Sequence, residues 1–170
     1  MVPLIVLVVV TLLARLSGHV GVGALRHWPA AVRVGMAAML CVTASAHFNS
    51  MRADLIRMVP PAVPNPEFMV TFTGVCEILG AIGLLVQRTR RLAAAALIVM
   101  FIAVLPANIH AAREELTIGA AAATPALPRI ALQVLFIAVV WWAGWRRDGQ
   151  TGRAPGRGYQ GVDRAARDSR

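Results

Sequence analysis

The segment Phe68–Val86, FMVTFTGVCEILGAIGLLV, carries a single charged residue, Glu77, in an otherwise apolar and small-residue run. At ~1.5 Å of rise per residue, a helix of this length crosses most of a ~30 Å hydrocarbon core. Three further stretches are as long: Pro29–Phe48, Leu92–Ala112 and Leu127–Trp145. A fifth, Val2–Ala14, is shorter and reads as a span if its helix continues toward Leu25. It does not read as a secretory signal, because no basic segment precedes it and no small-residue cleavage site follows. Charged residues make up 15% of the chain, against about 25% in soluble domains. These runs predict an all-α membrane protein: a four-helix transmembrane bundle with an extra N-terminal apolar helix, five spans in all.

The arginines orient the spans. All 17 basic residues are Arg. With five spans, thirteen fall on the side of the first loop, the Arg88–Arg91 turn and the C-terminal tail. Only Arg52, Arg57, Arg113 and Arg129 fall on the other side, offset by Asp54, Glu67, Glu114 and Glu115. The positive-inside rule places the first set in the cytoplasm and the N-terminus outside. Trp28, Trp141, Trp142 and Trp145 fall at the cytoplasmic headgroup level, where an indole is favoured. This predicts a multi-pass protein of a bacterial cytoplasmic (inner) membrane. The expected units are an additional helix and loop over 1–28, the four-helix membrane domain over 29–145, and a tail over 146–170. The tail is rich in Gly, Arg and Asp, so it reads as disordered, and its arginines suit anionic lipid.

The net charge of +9 does not indicate nucleic acid, since the charges lie in loops and the tail rather than on one basic face. No nucleotide-binding loop, nucleophile elbow or zinc-ligand spacing occurs, and Cys41 and Cys76 both lie in apolar runs.

Polar residues inside the spans gather in the outer half. Glu77 is ten residues beyond Glu67, about 15 Å down from the outer surface. A carboxylic acid there costs roughly 2.5–3.5 kcal/mol on insertion scales and so faces protein or water. Thr73, Glu77 and Ala81 form one helical stripe, flanked by Gly74 and Gly80, which suits close approach of another helix. His47 shares a stripe with Thr43 at the outer end of the second span. Asn108 and His110, near the outer end of the fourth, are two apart, about 200° around a helix. Asn108 is expected inward and His110 nearer the headgroups. Gln133 is expected to make an interhelical hydrogen bond. Glu77, His47, Asn108, Gln133 and His110 are the candidates for a ligand or proton site; for each, a purely structural hydrogen bond is the alternative. No metal site and no catalytic residue is assigned. Val59–Pro66, VPPAVPNP, cannot continue a helix and reads as a stiff outer connector or a lid over an outer cavity.

In order and spacing, AHF (Ala46–Phe48), MVPPAVPNP (Met58–Pro66), GVCEILGAIGLL (Gly74–Leu85), RTRR (Arg88–Arg91) and LPANIHAA (Leu105–Ala112) resemble the DoxX-like family of small bacterial membrane proteins. The resemblance covers roughly Pro29–Trp145. It implies a four-helix membrane bundle, with His47, Glu77 and Asn108 carried over as its polar residues. The family takes its name from subunits of a thiosulfate:quinone oxidoreductase, and relatives are associated with redox, sulfur or oxidative-stress partners. The resemblance therefore implies a membrane subunit or accessory of a quinone-linked redox system, with a bound quinone and a redox partner protein. The competing readings are a non-enzymatic scaffold that docks a soluble partner and, behind it, a small transporter. Association with a second copy of the chain is compatible with each.

Overall fold

The computed structural model describes residues 2–117 and 125–146. The expected disordered tail, from Arg147 onward, lies outside the described residues. Six helices follow in order: α1 (Val2–Val20), α2 (Trp28–Ala46), α3 (Arg52–Met58), α4 (Pro66–Leu85), α5 (Arg90–Arg113) and α6 (Ala126–Trp145). A short 3-10 turn, Gly23–Arg26, joins α1 to α2. No strand occurs among the described residues. Five helices are long and apolar enough to cross a membrane; α3, with 7 residues, is not. The chain is a multi-pass all-α membrane protein.

The first apolar stretch continues past Ala14 to Val20, so α1 has the length of a span. Arg15, which interrupts the pattern, donates to the His19 ring and stacks over Trp28, so its charge lies against protein rather than lipid. The helix stops at Gly21, whose φ of +147° suits glycine alone. Pro66 opens α4 at its first turn, where a missing N–H costs nothing. Asn65, just before it, adopts the left-handed conformation that Asn tolerates better than most residues.

Helices α2, α4, α5 and α6 close into a ring: α2 packs on α4, α4 on α5, α5 on α6, and α6 on α2. Met36 and Leu40 of α2, Leu84 of α4, Leu97 of α5 and Val140 of α6 meet at its centre, each fully buried. This aliphatic core lies toward the end of the ring that carries the Arg88–Arg91 turn and Arg146, here the arginine end. α3 and the proline segment mark the opposite, lid end. Small residues set the helix spacings. Gly80 faces Leu97, Gly83 faces Ala93, and Gly144 faces Ala94, each too closely for a Cβ. The outward faces are apolar: Leu79, Leu92 and Leu127 are 62–78% exposed, the expected surface against lipid.

α1 packs outside the ring, along α2. Gly35 of α2 is pressed against Thr11 and the Leu7 carbonyl of α1. Beside them Val8, Trp28, Val32, Ala138 and Trp142 line a shallow apolar cleft of about 410 Å³ between α1, α2 and α6.

One arginine departs from the simple loop assignment. Arg33 is only 5% exposed and donates to the carbonyl of Ala143 at 3.0 Å. That carbonyl is among the last four of α6, which have no donor within their own helix. Arg33 therefore ties the end of α6 to α2 inside the bundle.

Replacing Gly80 with Leu forces a side chain into Leu97 and is expected to destabilise the bundle by about 1–3 kcal/mol. Gly23→Ala, where the space is open, is the control. Thermal unfolding in mild detergent, with the two midpoints compared, checks this.

Candidate functional site

The site begins with the place where α2 ends. Its last residue is Ala46, and the next, His47, has its Cβ and Cγ against Gly74. Gly74 lies eight residues into α4, about 12 Å below the Pro66 end. α2 therefore stops well short of the rim set by α4. His47 sits at that depth inside the bundle, not as a cap at the headgroups.

The space above the end of α2 is roofed by α3 and the proline segment. Asn49 starts the roof: its Oδ1 accepts the Met51 N–H at 2.8 Å, an Asx turn that redirects the chain into α3. Arg52 fastens it. One guanidinium nitrogen donates to the His47 carbonyl at 3.0 Å and another to the Glu67 carbonyl at 3.1 Å. The same side chain thus caps the end of α2 and holds α3 to the first turn of α4. Arg57 and Asp54 pair on the exposed side of α3. Beneath the roof lies a chamber of about 170 Å³. Its walls include His47, Thr73, Met58, Pro60, Val63 and Pro106. The proline segment closes the chamber as a lid would.

Hydrogen bonds fix the proton positions. His47 Nδ1 lies 2.7 Å from the Val70 carbonyl, and a carbonyl can only accept, so Nδ1 carries a proton. The Thr73 hydroxyl is 3.4 Å from the same nitrogen and donates within its own helix, to the Met69 or Val70 carbonyl. That leaves Nε2 as the variable position on the ring. Nε2 stands 3.8 Å from Glu77 Oε1, a little beyond hydrogen-bond length. Both side chains are 12% exposed. The other carboxyl oxygen, Oε2, accepts from Thr43 Oγ1 at 2.7 Å. Thr43 also lies within reach of the Met39 and Leu40 carbonyls, but the Glu77 contact is the shortest. Thr43, Glu77, His47 and Thr73 thus stand in a line from the interior to the chamber wall.

Asn108 and Gln133 form a second group. Asn108 Nδ2 donates to Gln133 Oε1 at 3.1 Å, and Gln133 Nε2 donates to the Phe101 carbonyl at 2.5 Å. α5 contains Pro106 without breaking. This proline has no N–H for the Ile102 carbonyl, and its ring disturbs that turn. Gln133 supplies a donor to the neighbouring Phe101 carbonyl. The interhelical role expected of Gln133, and the inward setting of Asn108, are both present. The hydrogen bonds join these two to each other and to Phe101, not to Glu77. His110 lies in the last turn of α5, where its carbonyl accepts from Glu114 N. Among the described residues its ring hydrogen-bonds to neither group.

Thr43 and Thr73 are the members that sequence reasoning placed on the right faces without giving them a role. The spacing of Thr43 to His47, and of Thr73 to Glu77, is the signal that finds them. α3 and the Arg52 fastening left no such signal. The two cysteines are unpaired, Cys41 exposed and Cys76 half-buried. No group of three or more His, Cys, Asp or Glu among the described residues is placed to hold a metal ion.

Replacing Arg52 with Ala removes two charge-assisted hydrogen bonds, each worth about 1.5–3 kcal/mol. The roof is expected to open at least about tenfold more often, read as faster amide hydrogen exchange over residues 50–58 with little change in α6.

A family model described as "Domain of unknown function (DUF8561)" matches residues 36–144, which hold both polar groups, the lid and nearly all of the four-helix ring. No curated protein and no solved structure matches the chain.

Proposed function

The chain belongs to this DUF8561 family, whose description assigns no activity, and we propose from the site itself that it is a membrane subunit or accessory of a quinone-linked redox system. The supporting observation is the His47–Glu77 pair, 3.8 Å apart, standing between a buried interior and a lidded chamber at the end of the bundle. Quinone chemistry needs protons delivered to, or taken from, a ring held in a water-poor site. His47 is on the chamber wall and Glu77 is behind it, so the imidazole stands between a ring in the chamber and the carboxyl, in position to act as the proton carrier. Thr43 holds the carboxyl and the Val70 carbonyl holds the imidazole, which keeps both oriented. The electrons come from or go to a redox partner protein, since no electron-carrying motif occurs in the chain. The resemblance to the DoxX-like family supports the same reading, with His47, Glu77 and Asn108 in corresponding positions; Asn108, with Gln133, then serves to brace the Pro106 turn.

In this reading the protein sits in a bacterial cytoplasmic membrane with its lid end outside. The arginine count supports that orientation. Single cysteines introduced at Arg57 and at Arg88, in a background with Cys41 and Cys76 replaced by Ser, are expected to differ. The first reacts with an impermeant maleimide on intact cells, and the second only after the membrane is opened.

The function is tested by purifying the protein in mild detergent and extracting it for quinone. Quinone is expected to copurify, and Glu77→Gln is expected to slow donor-dependent quinone reduction by about 10²-fold or more, the usual worth of a positioned acid or base. Absence of quinone together with full activity of Glu77→Gln would remove the proposal in favour of a scaffold that docks a partner.

A further inference from the structure

The cleft between α1, α2 and α6 lies at the arginine end, where two helices stand apart over a third. α1 and α6 each pack on α2, and Val32 of α2 lines the cleft between them. Leu7, Val8 and Leu12 of α1 and Ala138 and Val139 of α6 are its walls. The one hydroxyl among them, that of Thr11, lies against Gly35 of α2. These walls are inside the spans and offer no polar partner, so they take a hydrocarbon chain.

The mouth is of a different kind. From Leu7 the cleft runs along α1 toward Arg15, about 12 Å of helix. Arg15 is one turn beyond Thr11 and Leu12 and shares their face. Its guanidinium lies over Trp28, 5.1 Å from the ring centroid, and Trp28 lines the cleft. Trp142 lines it from α6. Two indoles therefore border the cleft where it nears the headgroups, and a cation rests on one of them.

Only part of that guanidinium is used. One nitrogen, Nη1, donates to His19 Nε2 at 3.1 Å. Nε is buried with no acceptor, and Nη2 has none among the described residues. No counter-charge is near. Among the described residues, Asp54, Glu67, Glu114 and Glu115 lie at the lid end and Glu77 lies within α4. The same end adds Arg26, two residues before Trp28, and Arg146, one turn past Trp142, both exposed. Unspent guanidinium donors at headgroup depth, with no carboxylate to take them, complement a phosphate. Three arginines without a carboxylate also disfavour a head that carries its own ammonium group. An anion without a tail has no use for the walls, and a tail without an anion has none for the arginines.

We propose that this cleft binds one anionic phospholipid from the leaflet at the arginine end, with an acyl chain between α1 and α6 and the phosphate on Arg15. The inference is independent of the quinone-linked reading. It gives α1 a task. The family model begins at residue 36, so Arg15, Arg26 and Trp28 lie outside the matched residues, and the N-terminal helix brings this site to the ring. The lipid bridges α1 to α6, which otherwise meet mainly through α2.

The full chain in mild detergent is titrated with phosphatidylglycerol and with phosphatidylcholine of the same acyl chains, and bound lipid is counted by native mass spectrometry. The first phosphatidylglycerol is expected to bind roughly tenfold or more tighter than the first phosphatidylcholine. Arg15→Gln is expected to remove most of that preference, and Arg15→Lys, which keeps the charge, to hold it within about threefold. Ala138→Trp fills the cleft from α6, where Ala138 is exposed, and is expected to abolish the tightly bound molecule. Two variants across the ring are expected to change nothing. Arg88→Gln removes one charge from the same end. Ala96→Trp obstructs a larger apolar groove, about 810 Å³, along the α4–α5 seam. Thermal midpoints without added lipid, expected to match the wild type, separate loss of the site from misfolding; should Arg15→Gln fail to fold, Arg15→Lys and Ala138→Trp decide. Equal affinity for the two lipids overturns the inference. So does an equal loss of preference in Arg88→Gln and Arg15→Gln, which is the mark of diffuse surface charge. A lipid-independent dimer that Ala138→Trp dissociates assigns the cleft to a second copy of the chain and overturns it too.

Discussion

The hydrogen bond from Thr43 to Glu77 joins α2 to α4 within the spans, where the carboxyl is only 12% exposed. A carboxyl in the middle of a span must find its partner inside the protein, because lipid supplies none. That requirement fixes how far α2 slides along α4. Once Thr43 is level with Glu77, His47, one turn further on, is level with Gly74, where the missing side chain leaves room for its ring. The end of α2 then falls well below the rim of α4. The chain has to climb back over that gap, and α3 with the proline segment is the path it takes. Lid, chamber and the placement of the imidazole all follow from the depth of one acid.

Much of this was legible in the amino-acid order. Four apolar runs of membrane length and a shorter fifth marked the spanning helices, and a glycine-flanked acid marked an inward face of α4. The run of prolines from Pro60 to Pro66 marked a segment that cannot be helical. What could not be read is also informative. α3 is a single exposed-sided helix of 7 residues whose apolar positions look like those of any connector. The depth of His47 depended on the register between two helices, which no periodicity within either one reveals. Asn108 and Gln133 bond to each other and to the Phe101 carbonyl rather than to Glu77, a pairing across α5 and α6 that spacing within either helix does not reveal.

The two ends of the ring solve opposite problems with related means. At the lid end the early stop of α2 is roofed by α3, and Arg52 donates to the His47 and Glu67 carbonyls. At the arginine end Arg33 does the same for α6 from within the bundle. In both, a guanidinium donates to a carbonyl at the C-terminal end of a helix, His47 for α2 and Ala143 for α6, which is a more demanding task than marking orientation. Arginine abundance in this chain is therefore partly architectural. Between these ends the core is aliphatic and closely spaced by glycine and alanine.

A closed ring of four helices has four seams, and α1 makes them unequal. It lies beside the α2–α6 seam, which is diagonally across the ring from the α4–α5 groove. The molecule consequently has a front and a back within the plane of the membrane, in addition to its two ends. Neighbours diffusing in two dimensions meet a shielded side or a grooved side according to how the protein is turned. The helix that adds least to the polar site is the one that gives the bundle a heading.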